Sequence, residues 1–498
     1  EGAVVIKFNI TDKVQLKNDL TNIMSIDNVR SLPNNQGYEV RAYLKQNELQ
    51  EFLTRNIPFE IVEIVQPKAI TMATTVAQMA NWDRYPTYSV YEQMMVNFAT
   101  TYPTLCDLDT ILASTPNGHR ILVLKISDNV NTNENEPQVL FSSSIHGNEE
   151  TGYVLVLRLI NYLLSNYTTL PQVANLVNGA EIWICPSANP DGTYRSGDNT
   201  ISTSTFARYN ANGVDMNRNY PCPDSTLNSD STIWEPETKA FIKFAKKHHF
   251  NMGVNFHDGY EVVNFPWDRW LTTENISADD AWWRRASRMY ADSVHLNAGA
   301  LGSSYFTAED NGITEGADWY YAYGSRQDYM NFFQYCREVT IELSTSQPAG
   351  AENLPTFWNA HYRSFLNYIK ESLYGVRGVV TDSCSGQPIR AKVWVNGYDQ
   401  TNDSSHVYSA LPVGNYHKYM INGTRSITYS APGYVSKTIN NVVLANGQAT
   451  TVNVSLAPAA SPDAQFIGTI TNNCTGTVQF TNTSTASSNF IWFFGDGT

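Results

Sequence analysis

Val139 to Tyr162, VLFSSSIHGNEETGYVLVLRLINY, reads as a strand, a sharp turn and a helix. An apolar, β-rich run ends in three serines and Ile145. Behind the turn, Val154, Leu155, Leu157, Leu159 and Ile160 carry a helical apolar pattern. Open α/β sheets place their sites at such turns. Here the turn carries His146, Gly147, Asn148, Glu149 and Glu150. An imidazole nitrogen of His146 and a carboxylate oxygen of Glu149 can face one point about 2 Å from each, which suits zinc. The plainer alternative is a surface turn whose two glutamates favour the helix N-terminus electrostatically, and Glu150 is read that way.

Zinc needs a third protein ligand. Phe250 to His257, FNMGVNFH, is a β-like run that ends in a histidine and supplies a candidate. Between the two stretches lies Ala207 to Pro221, ARYNANGVDMNRNYP. Further on, Val339 to Ser344, VTIELS, holds Glu342 as a lone acid in an apolar strand.

At these residues the chain resembles the zinc metallocarboxypeptidases of the funnelin family, and their regulatory branch (carboxypeptidases N, E, D and M) more than the digestive one. The matching stretches are HGNEE, NPDG at Asn189 to Gly192, ARYNANGVDMNRNYP, FHDGYEVVNFPWD, GADWYYAYGSRQDY and VTIELS. They occur in the family's order and cover most of residues 83–373. The resemblance implies one zinc ion per catalytic domain, held by His146, Glu149 and His257. It implies Glu342 as general base and then acid, and Arg208 as the oxyanion residue. Asn217 and Arg218 would hold the substrate's terminal carboxylate, which a planar guanidinium pairs with bidentately. Tyr320 falls where the family has a mobile phenol. Asp268 and Gln327 match the regulatory branch's pocket for Lys or Arg side chains. Arg326 and Arg269 stand beside them, and an inward-pointing Arg326 would neutralise Asp268.

The implied function is hydrolysis of the last peptide bond of peptides and proteins. Two alternatives keep other features of the chain: a zinc amidase acting on cell-wall stem peptides or acyl-amino acids, and a secreted binding protein without catalysis. The presence of all three ligands and Glu342 argues against the last.

Composition bounds the rest. The 498 residues are enough for roughly three or four domains. A formal net charge of −14 argues against a nucleic-acid partner and a polybasic membrane patch. No apolar run reaches the roughly 18 residues that span a bilayer. The chain begins at Glu1, without Met, as a processed secreted protein would. Sparse Lys with abundant Asn and Thr agrees with an extracellular monomer. The six cysteines form no CxxC pair; their even number permits disulfides, with about 15 connectivities.

The expected fold is an α/β catalytic domain, a mixed sheet with helices on both faces, at 83–374. Ahead of it, 1–65 reads as β-α-β-β-α-β, a ferredoxin-like order that resembles a carboxypeptidase pro-segment. Residues 66–82 are a linker, and an activating cut is expected between Gln66 and Arg84. Short β runs punctuated by Gly and Asn make 375–458 a sandwich resembling a transthyretin-like domain. After a short linker, 463–498 resembles the start of a polycystic-kidney-disease-type β domain, marked by WFFGDGT at Trp492 to Thr498.

Overall fold

The computed structural model describes residues 2–63, 70–224, 234–459, 465–472 and 474–485. The WFFGDGT stretch, the end of the first expected domain and the start of the linker after it lie outside the described residues.

An antiparallel sheet opens the chain. Strands β1 (Val4–Ile10), β2 (Ser25–Ser31), β3 (Tyr38–Leu44) and β4 (Phe59–Ile61) take the order β2-β3-β1-β4. Alternation along β1 buries Ile6, Phe8 and Ile10, which meet Phe52 of helix α1 (Gln46–Leu53). The first helix of the expected β-α-β-β-α-β order is only a short turn around Leu16–Leu20.

The central sheet has eight strands: β5 (Cys106–Leu112), β6 (Ile121–Ile126), β7 (Gln138–Ser143), β8 (Glu181–Cys185), β9 (Phe250–His257), β10 (Val262–Phe265), β11 (Ile313–Glu315) and β12 (Arg337–Glu342). Their order is β11-β10-β12-β9-β7-β8-β6-β5. The middle strands β12, β9, β7 and β8 run parallel, whereas β6 and β10 run antiparallel to their inner neighbours. Both faces are covered, so β9 is buried at every position and reads as a continuous apolar run instead of an alternating one. The short strands β10 and β11 extend the sheet beyond what the apolar pattern predicts.

Helices α2 (Tyr88–Thr101), α3 (Thr151–Asn166), α4 (Pro236–Lys247), α5 (Asp280–Asn297), α6 (Arg326–Gln334) and α7 (Leu354–Glu371) pack on this sheet. In α3, Val154, Leu155, Leu159, Ile160 and Leu163 are buried, each contributing roughly 1.5–3 kcal/mol. Gly152 lets α3 approach closely, since a Cβ there would lie 2.5 Å from Ser143 Oγ and 2.7 Å from Phe256 Cβ.

After α7 the chain is all β. Two four-stranded sheets face each other across Val376, Val380, Val393, Ile427, Tyr429, Leu444 and Leu456. The antiparallel pair Phe466–Asn472 and Thr477–Asn482 follows. The disulfides that the cysteine count allowed are not present: Cys106, Cys185, Cys222 and Cys336 are buried thiols, and Cys384 and Cys474 are exposed ones. The four buried thiols stand on or beside separate elements of the core, where they act as small apolar groups. No helix among the described residues is long and apolar enough to cross a membrane.

Candidate active site

The parallel strands deliver their C-terminal ends to one edge. β7 leads into the turn with His146 and Glu149. β9 ends on His257, and register pairs His257 with Glu342 at the end of β12. The ring centroids of His146 and His257 lie 4.9 Å apart. Glu149 joins them, with Oε1 2.9 Å from His146 Nδ1 and Oε2 2.8 Å from His257 Nδ1. One ligand atom from each of the three residues falls within 4.8 Å of the others, and all three residues are buried.

This donor set fits zinc, with two imidazole nitrogens and one carboxylate. The far ring nitrogens are also held, as ligating histidines require. His146 Nε2 meets Asp215 Oδ1 at 3.0 Å, and His257 Nε2 meets the Asn255 carboxamide at 2.8 Å. Burial alone would raise the Glu149 carboxyl, but His146 and His257 outweigh it and hold it low. Burial lowers His257 to about 4, whereas at His146 burial is outweighed by the neighbours Glu149 and Asp215, which raise it.

Gly147 makes the turn possible. A Cβ at this position would lie 2.4 Å from the Gly192 carbonyl carbon and 2.5 Å from Ala207 O. The NPDG segment and the segment carrying Arg208 therefore press directly on the HGNEE turn.

The other expected residues surround the same space. His146, Glu149, Arg208, Asn217, Arg218, His257, Asp268, Tyr320 and Glu342 all line one cavity, with about 20 Å³ left open. Arg208 is 2% exposed and its Nη1 donates to Glu149 Oε1 at 2.8 Å. Asn217 Oδ1 accepts the Arg326 backbone N–H at 2.9 Å, leaving its amide hydrogens for the cavity. Glu342 is buried, and its Oε2 has no hydrogen-bond partner among the described residues. Burial raises its carboxyl well above the usual range; Glu149, Asp27 and Asp258 add to this and Arg208 opposes it. Tyr320 packs edge-on against Trp319.

Neither neighbouring arginine enters the pocket. Arg326 turns away and grips Glu338 with two bonds of 2.9 Å, and Arg269 pairs with Asp224. Asp268 is left facing Asn264 and Gln327, whose amides donate to its Oδ1 at 3.0 and 3.1 Å.

Sequence reasoning passed over several site residues. Asp215, two positions before Asn217, orients His146. Glu150 stands at the N-cap position of α3, but it is 0% exposed, makes no capping bond with its side chain, and is not part of the expected surface turn. The largest omission is the wall that fills the cavity mouth, which comes from β2. Ser25 Oγ accepts from Arg208 Nε at 2.8 Å and donates to Asp215 Oδ2 at 2.5 Å. The Ile26 carbonyl accepts from Arg218 Nη2 at 3.2 Å, and Asp27 lies 3.4 Å from Arg208 Nη1. Gln347 ties the two parts together, donating to Asp27 Oδ1 at 3.0 Å and to Glu149 Oε1 at 3.3 Å.

Residues 91–364 match the sequence family described as zinc carboxypeptidase. The chain belongs to that family. Carboxypeptidase D of Homo sapiens is 34% identical over 377 residues, 74% of this chain and 26% of that one. Carboxypeptidase SOL1 of Arabidopsis thaliana is 32% identical over 385 residues, 76% of this chain and 73% of that one. Carboxypeptidase M of Mus musculus is 30% identical over 335 residues, covering 66% and 70%. The chain thus spans about a quarter of the length of the carboxypeptidase D proteins it matches. In fold it is similar to the carboxypeptidase A of Helicoverpa armigera, with a TM-score of 0.54 at 16% identity, covering 74% of this chain and 98% of that one. It is likewise similar to thrombin activatable fibrinolysis inhibitor, with a TM-score of 0.52 at 17% identity, covering 75% and 98%.

Proposed function

We propose that this chain is a zinc-dependent carboxypeptidase that removes single residues from the C-termini of peptides and proteins outside the cell, with a preference for Lys and Arg. One observation carries the reading: the ligand triad, an acid with a free oxygen and a pair of arginines line the same enclosed space. Zinc, when bound there, supplies a Lewis acid that polarises a carbonyl and acidifies water. Glu342 takes the water proton and passes it to the leaving nitrogen. Arg208 steadies the charge that develops on the carbonyl oxygen. Arg218 and the Asn217 amide anchor the free carboxylate, which an internal peptide bond lacks. Tyr320 closes over the bound residue. Asp268 attracts a cationic side chain, since both neighbouring arginines are already paired. Gly316 leaves room for it, because a Cβ there would lie 2.1 Å from Asp268 Oδ1.

The N-terminal sheet, ferredoxin-like in its order, acts as a pro-segment, and the chain is a zymogen. Support comes from Ser25, Ile26 and Asp27, which occupy the arginines that a substrate would need. A cut between residues 66 and 84 then releases activity. The sheets after residue 375 form a transthyretin-like module.

The test is turnover of short peptides differing only in their last residue (Lys, Arg, Glu, Leu or diaminopimelate), before and after that cut and with a zinc chelator. Loss with chelator and a fall of roughly 10²–10⁴-fold in Glu342→Gln are expected. A Glu342→Gln chain as active as the wild type would sink the hydrolase reading in favour of a binding protein. Preference for diaminopimelate would move the substrate to cell-wall stem peptides.

A further inference from the structure

Asp328 has no place in the chemistry above, yet it is 1% exposed and lies directly behind the specificity pocket. It stands in the first turn of α6, where Ser325 Oγ accepts its backbone N–H at 3.2 Å. Its two carboxylate oxygens serve separate donors. Oδ1 accepts the Asp268 backbone N–H at 3.0 Å, and Oδ2 accepts that of Arg269 at 2.9 Å. The Asp268 carbonyl is held in turn by the Ala322 N–H at 3.0 Å. On the side chain, Asn264 and Gln327 fix Oδ1, and Gln327 is itself locked by the Thr340 N–H on its Oε1 at 2.8 Å. Asp268 is thus fixed at its amide, its carbonyl and one carboxylate oxygen.

We propose that Asp328 is a positioning residue for substrate selection, a bidentate clamp on the 268–269 backbone that aims the Asp268 carboxylate at a cationic C-terminal side chain. This rests on the preference for Lys and Arg proposed above. A carboxylate is required because both partners are donors. An asparagine offers one oxygen and turns an NH₂ group toward the second N–H, where donor meets donor. The turn must then shift, and a misplaced charge loses its advantage over bulk solvent.

The test compares kcat/KM for Lys-terminated and Leu-terminated peptides in the full chain after the connector cut. In Asp328→Asn the Lys-to-Leu ratio is expected to fall roughly tenfold, because a positioning loss reaches only the substrate that uses Asp268. Asp328→Glu keeps the charge but is a methylene too long for both amides, so its ratio falls as well. An equal loss on both peptides in Asp328→Asn makes the residue merely structural and overturns the proposal. A wild-type ratio in Asp328→Glu means that charge, not position, matters, and does the same. If neither variant folds, Ser325→Ala, which loosens Asp328 at its N–H, replaces them; a wild-type ratio there also overturns it. The unmutated enzyme separates this proposal from the one beneath it: no Lys preference, or no activity before or after the cut, defeats the underlying reading first and this one with it.

Discussion

The central sheet is covered by partners at both ends of the chain, and the two contacts are built differently. Toward the C-terminus, the joint holds a closed set of charges. Asp279 receives Arg337 at 2.6 and 2.9 Å and Lys418 at 2.8 Å, and Lys418 also meets Asp399 at 3.1 Å. Their side chains are at most 3% exposed. Trp282 stacks on Tyr419 beside them. Toward the N-terminus, β2 instead borrows Arg208 and Arg218, which line the cavity, and Asp215 and Gln347, which bond to its ligand residues His146 and Glu149. Trp319 adds a bond to Val29 O at 2.8 Å. A buried charge that loses its only partner is costly. The C-terminal charges pair among themselves and with the Ser405 carbonyl, with no group borrowed from the cavity, so that joint is built to stay closed. On the proposed function, the arginines under β2 would trade a serine and a carbonyl for a substrate carboxylate, and that joint would open.

The strongest way to break this contrast is Asp279→Ala. It takes from Arg337 its buried carboxylate and leaves Lys418 with Asp399 alone, and should cost about 3–5 kcal/mol in urea unfolding, with the central and C-terminal sheets lost together. Two separate transitions in the wild type would contradict the permanent joint. Acid sharpens the same point. Burial pushes the Asp279 carboxyl up, but Arg337 and Lys418 outweigh it and hold it low. Its contribution is complete above the unfolded value of about 4 and fades as pH falls through the lower folded value. Asp279→Asn should therefore remove stability at neutral pH and narrow the gap to wild type in strong acid.

Next in size is Asp27→Ala, which strips Arg41, Gln347 and Arg208 of a shared acceptor. Weakening the cover by about 1.5–3 kcal/mol should raise hydrolysis by the uncut chain tenfold or more. Unchanged activity would mean that β2 does not limit access. The smallest effect belongs to Lys17, whose pair with Glu274 at the edge of the same contact is partly exposed. Lys17→Ala should change uncut activity by less than about fivefold.

What the sequence made legible follows from the range of each interaction. His146, Glu149, His257 and Glu342 stand in or beside strongly patterned strands, so periodicity placed them, but their roles came from the family resemblance of HGNEE, FHDGYEVVNFPWD and VTIELS. Asp215 sat in view beside Asn217, but its tie to His146 spans 69 positions. Asp27 and Gln347 are 320 positions apart. No local pattern marks such a pair, and both residue types are common on surfaces. The direction of Arg326 was equally hidden, because its partner Glu338 lies in a strand that reads as apolar. The edge strands β10 and β11 are too short for alternation to register.

Gly147 carries a last consequence. A single methyl at that position has nowhere to go, since backbone atoms of two other loops would lie within 2.5 Å of it. Adding one would push the turn that carries His146 and Glu149 off the segment that carries Arg208, although the residue bonds to none of them. The floor of the reaction chamber is therefore set by the absence of an atom, and drift at the neighbouring loops is restrained by a hydrogen they cannot displace.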